Sequence, residues 1–169
     1  MRVGLLADTH DRVPAIRELL RLMQEQGVGL VLHAGDFCAP FSLAPVTDAN
    51  IALLGVFGHN DGDRGALNAA AQQAMGIELH ESPHSFAVGG QRVLLVHDIG
   101  EVNTRSLEEH SIVVHGHTHR AEAKTRGETL LVNPGEACGW LHGSPAAAIL
   151  DLETKGVEVI KLTGPEWKF

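Results

Sequence analysis

Val3-Gly4-Leu5-Leu6-Ala7-Asp8-Thr9-His10-Asp11 is the stretch that decides the fold. Its apolar run has the length of a buried strand, and it breaks into a carboxylate and an imidazole two positions apart. Pro14 then opens a helical pattern in which Ile16, Leu19, Leu20 and Met23 recur on one face, and Gly27 supplies the stop. Gly29-Leu30-Val31-Leu32-His33 repeats the strand signal and ends at Gly35-Asp36. Ile51 to Phe57 repeats it again and ends at Gly58-His59-Asn60-Asp61, after which Gly65 to Met75 reads as a helix broken by Gly76. The first half is therefore a βα alternation.

The second half is rich in hairpins. Ser85 to Val88 and Arg92 to His97 flank Gly89-Gly90, a strong two-residue turn signal. Ile112 to His115 is a short strand. Ala121 to Lys124 and Thr129 to Val132 flank a turn at Arg126-Gly127-Glu128, and Ala146 to Leu152 pairs with Gly156 to Leu162. No linker or repeat separates the halves, so residues 1–169 read as a single α/β domain with two sheets. One regularity outweighs the individual elements. Asp8, Asp36, His59, Asn60, His97 and His117 each follow an apolar β-like run. Ligands of open α/β sheets bind beyond the carboxyl ends of strands, so these groups are expected to converge.

Composition narrows the chemistry. The chain holds 11 histidines and carries a formal net charge of −8, which argues against general nucleic-acid binding. No apolar run approaches the roughly 20 residues of a membrane span, and the first strand starts too early for a signal peptide, so a cytoplasmic location is expected. Cys38 and Cys138 form no CxxC pair and read as reduced thiols. Carboxylate and imidazole donors together suit Mn, Fe, Zn or Ni better than Ca or Mg. The donors outnumber the needs of one ion with an open position, and two ions sharing a carboxylate would use them all.

Taken in order, Asp8-Thr9-His10, Gly35-Asp36, Gly58-His59-Asn60-Asp61, Val96-His97 and Gly116-His117-Thr118-His119 resemble the calcineurin-like metallophosphoesterases. The short chain and Leu131-Val132-Asn133-Pro134-Gly135 are similar to the small YfcE-type phosphodiesterase branch. The resemblance runs from Val3 to Leu162 and implies a four-layer α-β-β-α sandwich of two mixed sheets flanked by helices. It further implies one metal on Asp8, His10, Asp36 and His119. A second would sit on Asp36, the Gly58 motif, His97 and His117, with Asp36 bridging. Manganese is the first expectation for both ions, with nickel, iron or zinc as alternatives. A hydroxide between the ions would attack phosphorus in line, on a small phosphodiester rather than a monoester.

Two departures from the family pattern stand out. The family has Gly-Asn-x-Asp where this chain has Gly58-His59-Asn60-Asp61. Counting without a gap makes His59 the metal ligand and preserves the loop length. Shifting by one makes Asn60 the ligand and leaves His59 to contact phosphate or protonate the leaving group. Asp36, His59 and Asn60 are thus the candidate catalytic residues. After His97, Asp98-Ile99 replaces the usual Gly-His; with Glu101 it suggests a pocket intolerant of excess substrate charge.

Other residues read more plainly. His33, His80, His84, His110 and His142 are expected to be strand caps or satisfied core groups, and His115 a packing residue beside the cluster. Asp11 and Asp61 are expected to cap the following helices, and Cys38 to fill space. Asn133 reads equally as a turn residue or as a group orienting a ligand. Phe41 and Leu43 suggest either a homo-oligomer interface or a short helix on the core. Two other functional classes compete. A non-catalytic scaffold on the same fold, like the subunit found in retromer, would have lost its ligands, and here they are present. A mononuclear or nucleotide-binding module would need a Gly-rich phosphate loop of familiar spacing, which is missing.

Overall fold

The computed structural model describes residues 1–168. Strand β1 (Arg2–Leu6) lies parallel to β2 (Leu30–His33), which lies parallel to β3 (Ala52–Gly55). Strand β4 (His84–Val88) is antiparallel to β5 (Gln91–Val96); β5 runs parallel to β6 (Ile112–His115), and β6 to β8 (Thr129–Asn133). Strand β7 (Glu122–Arg126) closes that sheet antiparallel to β8. The last pair, β9 (Ala146–Asp151) and β10 (Val157–Lys161), returns to the first sheet on the free side of β1. Two mixed five-stranded sheets result, ordered β10-β9-β1-β2-β3 and β4-β5-β6-β8-β7.

Side-chain alternation along the strands builds three apolar layers. Val3, Leu5 and Ala7 point into the layer between the sheets, where they meet Val93, Leu95, Ile112, Val114 and Val132. Leu6 points the other way, onto helices α1 (Val13–Glu25), α2 (Ala44–Asp48) and α3 (Arg64–Met75). Helix α1 buries Ala15, Ile16, Leu19, Leu20 and Met23 there, the stripe its spacing predicts. Each such large side chain contributes about 1.5–3 kcal/mol on leaving water. Behind the second sheet Leu94, Val96, Val113 and Leu131 are covered by Leu107 of the short α4 (Thr104–Glu108). The expected four layers are present, although the outer layer on that side is, among the described residues, one short α-helix with a 3-10 turn at Ile99–Glu101 that brings Ile99 and Val102 onto the same cluster. Central strands are buried on both faces, whereas edge strand β7 is exposed along its length and carries Glu122, Lys124 and Arg126.

Several local expectations need correction. The N-cap position of α1 is Arg12, which makes no side-chain capping bond, and α3 is capped by Asp63, which accepts from Ala66 N at 2.8 Å. Asp11 and Asp61 therefore cap neither helix. Asp11 instead accepts from Ala39 N at 2.8 Å, and Asp61 binds loop backbone beside the site. Arg126 belongs to β7, so the turn before β8 is Gly127-Glu128. The Phe41–Leu43 segment is a 3-10 turn leading into α2; it buries Leu43 and leaves Phe41 60% exposed.

Candidate metal centre

Both sheets aim their parallel strands at one rim. Asp8 and His10 follow β1, Asp36 follows β2, His59 and Asn60 follow β3, His97 follows β5, and His117 and His119 follow β6. The loops there are bent hard. Asp8, His10, Asp36, His117 and His119 all have positive φ, between 38° and 67°. Non-glycine residues avoid this region at a cost of order 1–3 kcal/mol each. Backbone stitches hold them: Asp8 N donates to Gly35 O, and Thr9 N and His10 N both donate to Asp36 O, at 3.0–3.1 Å. The close approach also explains the glycine before Asp36 and the one before His59. A Cβ on Gly58 would lie 2.3 Å from Asp36 Oδ1, and one on Gly35 would lie 2.8 Å from Gly58 Cα.

Asp36 sits at the centre. Its Oδ2 lies 3.4 Å from His10 Nε2 and its Oδ1 lies 3.4 Å from His97 Nε2. His119 Nε2 is 3.6 Å from Asp8 Oδ1. Donor atoms of His59, His97 and His117 lie within 4.8 Å of one another, as do those of Asp8, Asp36 and His97. Two ligands about 2.1 Å from one ion are themselves roughly 3.0–3.4 Å apart at octahedral to tetrahedral angles. The spacing suits ions better than hydrogen bonds. Consistent with that, Asp8 Oδ2, His10 Nε2 and His97 Nε2 are buried with no hydrogen-bond partner among the described residues. Such groups are costly unless something charged completes them.

The protonation pattern agrees. Burial pushes the Asp8 carboxyl up to about 7, so a cation is what would hold it ionised at neutral pH. Burial pushes His10 and His97 down, favouring the neutral imidazole, the form that a metal ligand requires. Burial also raises Asp36, but two donors from Asn60, then His97 and His10, more than offset it and hold the carboxyl below its ordinary value. Asn60 N and Nδ2 donate to the two Asp36 oxygens at 2.8 and 2.7 Å. His59 faces His97 and His117 instead, with ring centroids 4.9 and 5.0 Å away.

Supporting contacts lie behind these groups. His97 Nδ1 donates to Ala34 O at 2.8 Å, which ties the second sheet to the first. Asn133 at the end of β8 donates to Gly116 O and Thr118 Oγ1, so it holds the His117–His119 loop. Gly35 N donates to His33 Nδ1, leaving its Nε2–H for Thr9 Oγ1, whose hydroxyl donates to Asp36 O. Asp61 accepts from Asp36 N, Cys38 N and Gly58 N. Glu136 escaped the sequence reading. It is buried and accepts from His119 Nδ1 at 2.8 Å, and from the backbone of Leu141 and His142. Its one sequence signal was an acidic residue in an otherwise small and apolar Pro134–Gly139 stretch. Cys138 also came in unforeseen, grouped with His10 and His119. Burial pushes the Cys38 and Cys138 thiols up to about 12, so both are neutral.

The model of the calcineurin-like phosphoesterase superfamily domain matches residues 1–155. The chain belongs to that superfamily. Membership makes it a hydrolase of phosphate esters, and the family implies divalent metal, for which the buried unpartnered donors are suited. Phosphodiesterase MJ0936 of Methanocaldococcus jannaschii is 30% identical over 96% of this chain and 99% of its own length. Phosphodiesterase YfcE of Escherichia coli is 24% identical over 87% of this chain and 85% of its own, in line with the YfcE-type branch. Among solved structures, an archaeal phosphodiesterase superposes with a TM-score of 0.86 at 29% identity, covering 96% of this chain and all of that one. Vps29 of Entamoeba histolytica complexed with zinc shares the fold at a TM-score of 0.66 and 18% identity, over 96% of this chain and 98% of its own. No helix among the described residues is long and apolar enough to cross a membrane.

Proposed function

We propose that this chain is a phosphodiesterase working with two divalent metal ions, manganese foremost. The observation that carries this reading is the unpartnered, buried set of Asp8 Oδ2, His10 Nε2 and His97 Nε2 around Asp36. Asp8, His10 and His119 would hold one ion and His59, His97 and His117 the other, with Asp36 reaching both. When bound, such ions supply Lewis acidity toward phosphoryl oxygens and make water acidic enough to react at neutral pH. The chain's own residues set the geometry. Glu136 takes the His119 Nδ1–H and Ala34 O takes that of His97, so each Nε2 presents a lone pair to the centre. Asn60 fixes the Asp36 carboxylate with two hydrogen bonds and stands exposed with His59 where substrate enters.

Charge at the mouth supports diesters. Asp98 lies 3.6 Å from His117 and Glu101 lies 2.9 Å from His59, so the entrance carries two carboxylates. A diester monoanion meets less repulsion there than a monoester dianion. The scaffold alternative draws on the Vps29 likeness, which at 18% identity speaks for the fold alone. To test the enzyme reading, metal is stripped by chelator, Mn²⁺ or Ni²⁺ is restored, and bis(4-nitrophenyl) phosphate is compared with 4-nitrophenyl phosphate. Metal-restored hydrolysis favouring the diester is expected, with Asp36→Asn lowering it by at least about 100-fold. No restored hydrolysis, with less than one ion per chain, would sink the proposal. Counting metal in His59→Ala and Asn60→Ala decides between them, since the ligand's removal should cost one ion and the other's should not.

A further inference from the structure

His10, His119 and Cys138 form a donor group of their own at one end of the metal centre. One nitrogen of each imidazole and the Cys138 Sγ all lie within 4.8 Å of one another. Bonds of about 2.0–2.3 Å to nitrogen and sulfur put the ligands of one ion roughly 3–4.5 Å apart, depending on the angle between them. His10 Nε2 is buried with no hydrogen-bond partner among the described residues. The other nitrogen of each ring is engaged, His10 Nδ1 with Cys38 Sγ at 3.3 Å and His119 Nδ1 with Glu136 Oε2 at 2.8 Å. Each ring is thus left with Nε2 for an ion. A cleft of about 380 Å³ opens on this side, lined by His10, His119 and Cys138 together with Trp140 and Leu141, so an ion has room there.

Cys138 is fully buried, and its backbone is fixed on both sides. Its N donates to Asp8 O at 3.0 Å, so it rides on a residue that itself offers a carboxylate to the centre. Its carbonyl accepts from Arg12. Gly139 then turns the chain at a φ of 64°, where a Cβ would lie 2.4 Å from Pro145 N. The thiol is therefore held beside the two imidazoles by the fold. Its Sγ reaches Glu136 Oε2 only at 3.5 Å, a weak bond to an oxygen already taken by His119 and Leu141. Carboxylates and imidazoles serve hard and borderline ions alike, whereas a thiolate favours soft ones.

We propose that Cys138 Sγ is a further ligand at the His10–His119 end of the centre, recruited by thiophilic divalent ions such as cobalt, zinc and cadmium and left as a thiol by manganese. This rests on the reading that His10 and His119 hold an ion, and it adds a discrimination among metals. Without a cation the thiol is neutral, so recruitment breaks its S–H bond, forms a metal–sulfur bond and passes the proton to solvent. Manganese gains little from sulfur and leaves that proton in place. Thiophilic ions gain a ligand and displace manganese from this position.

The test uses protein kept reduced without added thiols and follows binding, not turnover. Titration of wild type with Co²⁺ is expected to raise a thiolate-to-cobalt charge-transfer band in the near ultraviolet, lost in Cys138→Ser and kept in Cys38→Ser. The chain has two cysteines, so a band that persists in Cys38→Ser comes from Cys138 whether or not the Cys138 variants fold. By calorimetry, Cys138→Ala should weaken Cd²⁺ binding about 10- to 100-fold and change Mn²⁺ binding by less than about threefold. No band in wild type, a band that survives Cys138→Ser, or equal Cd²⁺ affinities for wild type and Cys138→Ala overturns the ligand assignment, even if Mn²⁺ supports diester hydrolysis. A band that disappears with Cys138 while no ester is turned over supports the ligand and refutes the phosphodiesterase reading. Wild type that binds no divalent ion overturns both.

Discussion

Glu136 shows how one side chain conditions several others. Buried beside His119, it is raised by burial but lowered more by the hydrogen bonds from His119, Leu141 and His142, so it stays ionised. A carboxylate behind a ligating imidazole fixes the ring and raises its basicity. Glu136→Gln should weaken metal binding at the His119 side by about 10- to 100-fold while leaving the other side less affected. Metal titration by calorimetry reads this directly, and an unchanged isotherm would show that Glu136 serves only the loop. The sequence displayed most of the donors but not this one. Asp8, His10, Asp36, His97, His117 and His119 were legible because each follows an apolar run. Glu136 lies in a loop, three residues past β8, and no periodicity marks it. Asp61 was misread for a related reason. A carboxylate near a helix start suggests a cap, yet Asp61 accepts from Gly58 N in its own loop and from Asp36 N and Cys38 N in a loop distant in sequence.

Among the elements, the strand-end loops carry the tightest tolerances. Gly58 does not need an unusual backbone; it needs the absence of a Cβ, since Asp36 N and Oδ1 and His97 Nδ1 lie within 2.9 Å of where one would be. Gly58→Ala should destabilise the protein by about 1–3 kcal/mol and reduce bound metal, because the atom that must yield is the central carboxylate. Gly62→Ala, four residues on, has nothing within 4 Å and serves as the comparison. Thermal melts with metal analysis check both, and equal behaviour of the two variants would contradict the close-approach argument. Strands and long helices were readable, α1 from its 3.6-residue stripe and β1, β2 and β6 from short continuous apolar runs. The short α2 and α4 were not, because five-residue helices bury only one or two side chains and leave almost no stripe.

In the molecule as a whole, buried titratable groups set opposing pH responses. Burial pushes His33 down to about 3. Its ordinary value is about 6.5, so its contribution is full above that value and is lost as pH falls toward 3. His10, His97 and His115, also lowered by burial, act in the same direction. Asp8, raised to about 7, acts oppositely: its contribution is full below about 4 and is lost as pH rises through 7. From pH 6.5 to 5 the His33 loss and the Asp8 gain, about 2 kcal/mol each, nearly cancel, so the loss of stability expected of metal-free protein comes from His10, His97 and His115. Asp8→Asn should steepen that loss and raise stability above pH 7. Urea midpoints at pH 8, 6.5 and 5 check the slope and its sign; a wild-type midpoint that rises on acidification would contradict the balance. The sequence by itself determined the α/β class, the strand ends and the types of donor at each, because apolar period and polar interruption are local properties. Only the tertiary structure decided that two sheets face each other so that these ends share one rim. The same packing put His59 beside His97 and His117 with Asn60 on Asp36, and brought Glu136 and Trp140 to a centre opened by Asp8 and His10. Those juxtapositions join residues far apart along the chain, and it is the packing of the inter-sheet core that brings them within reach.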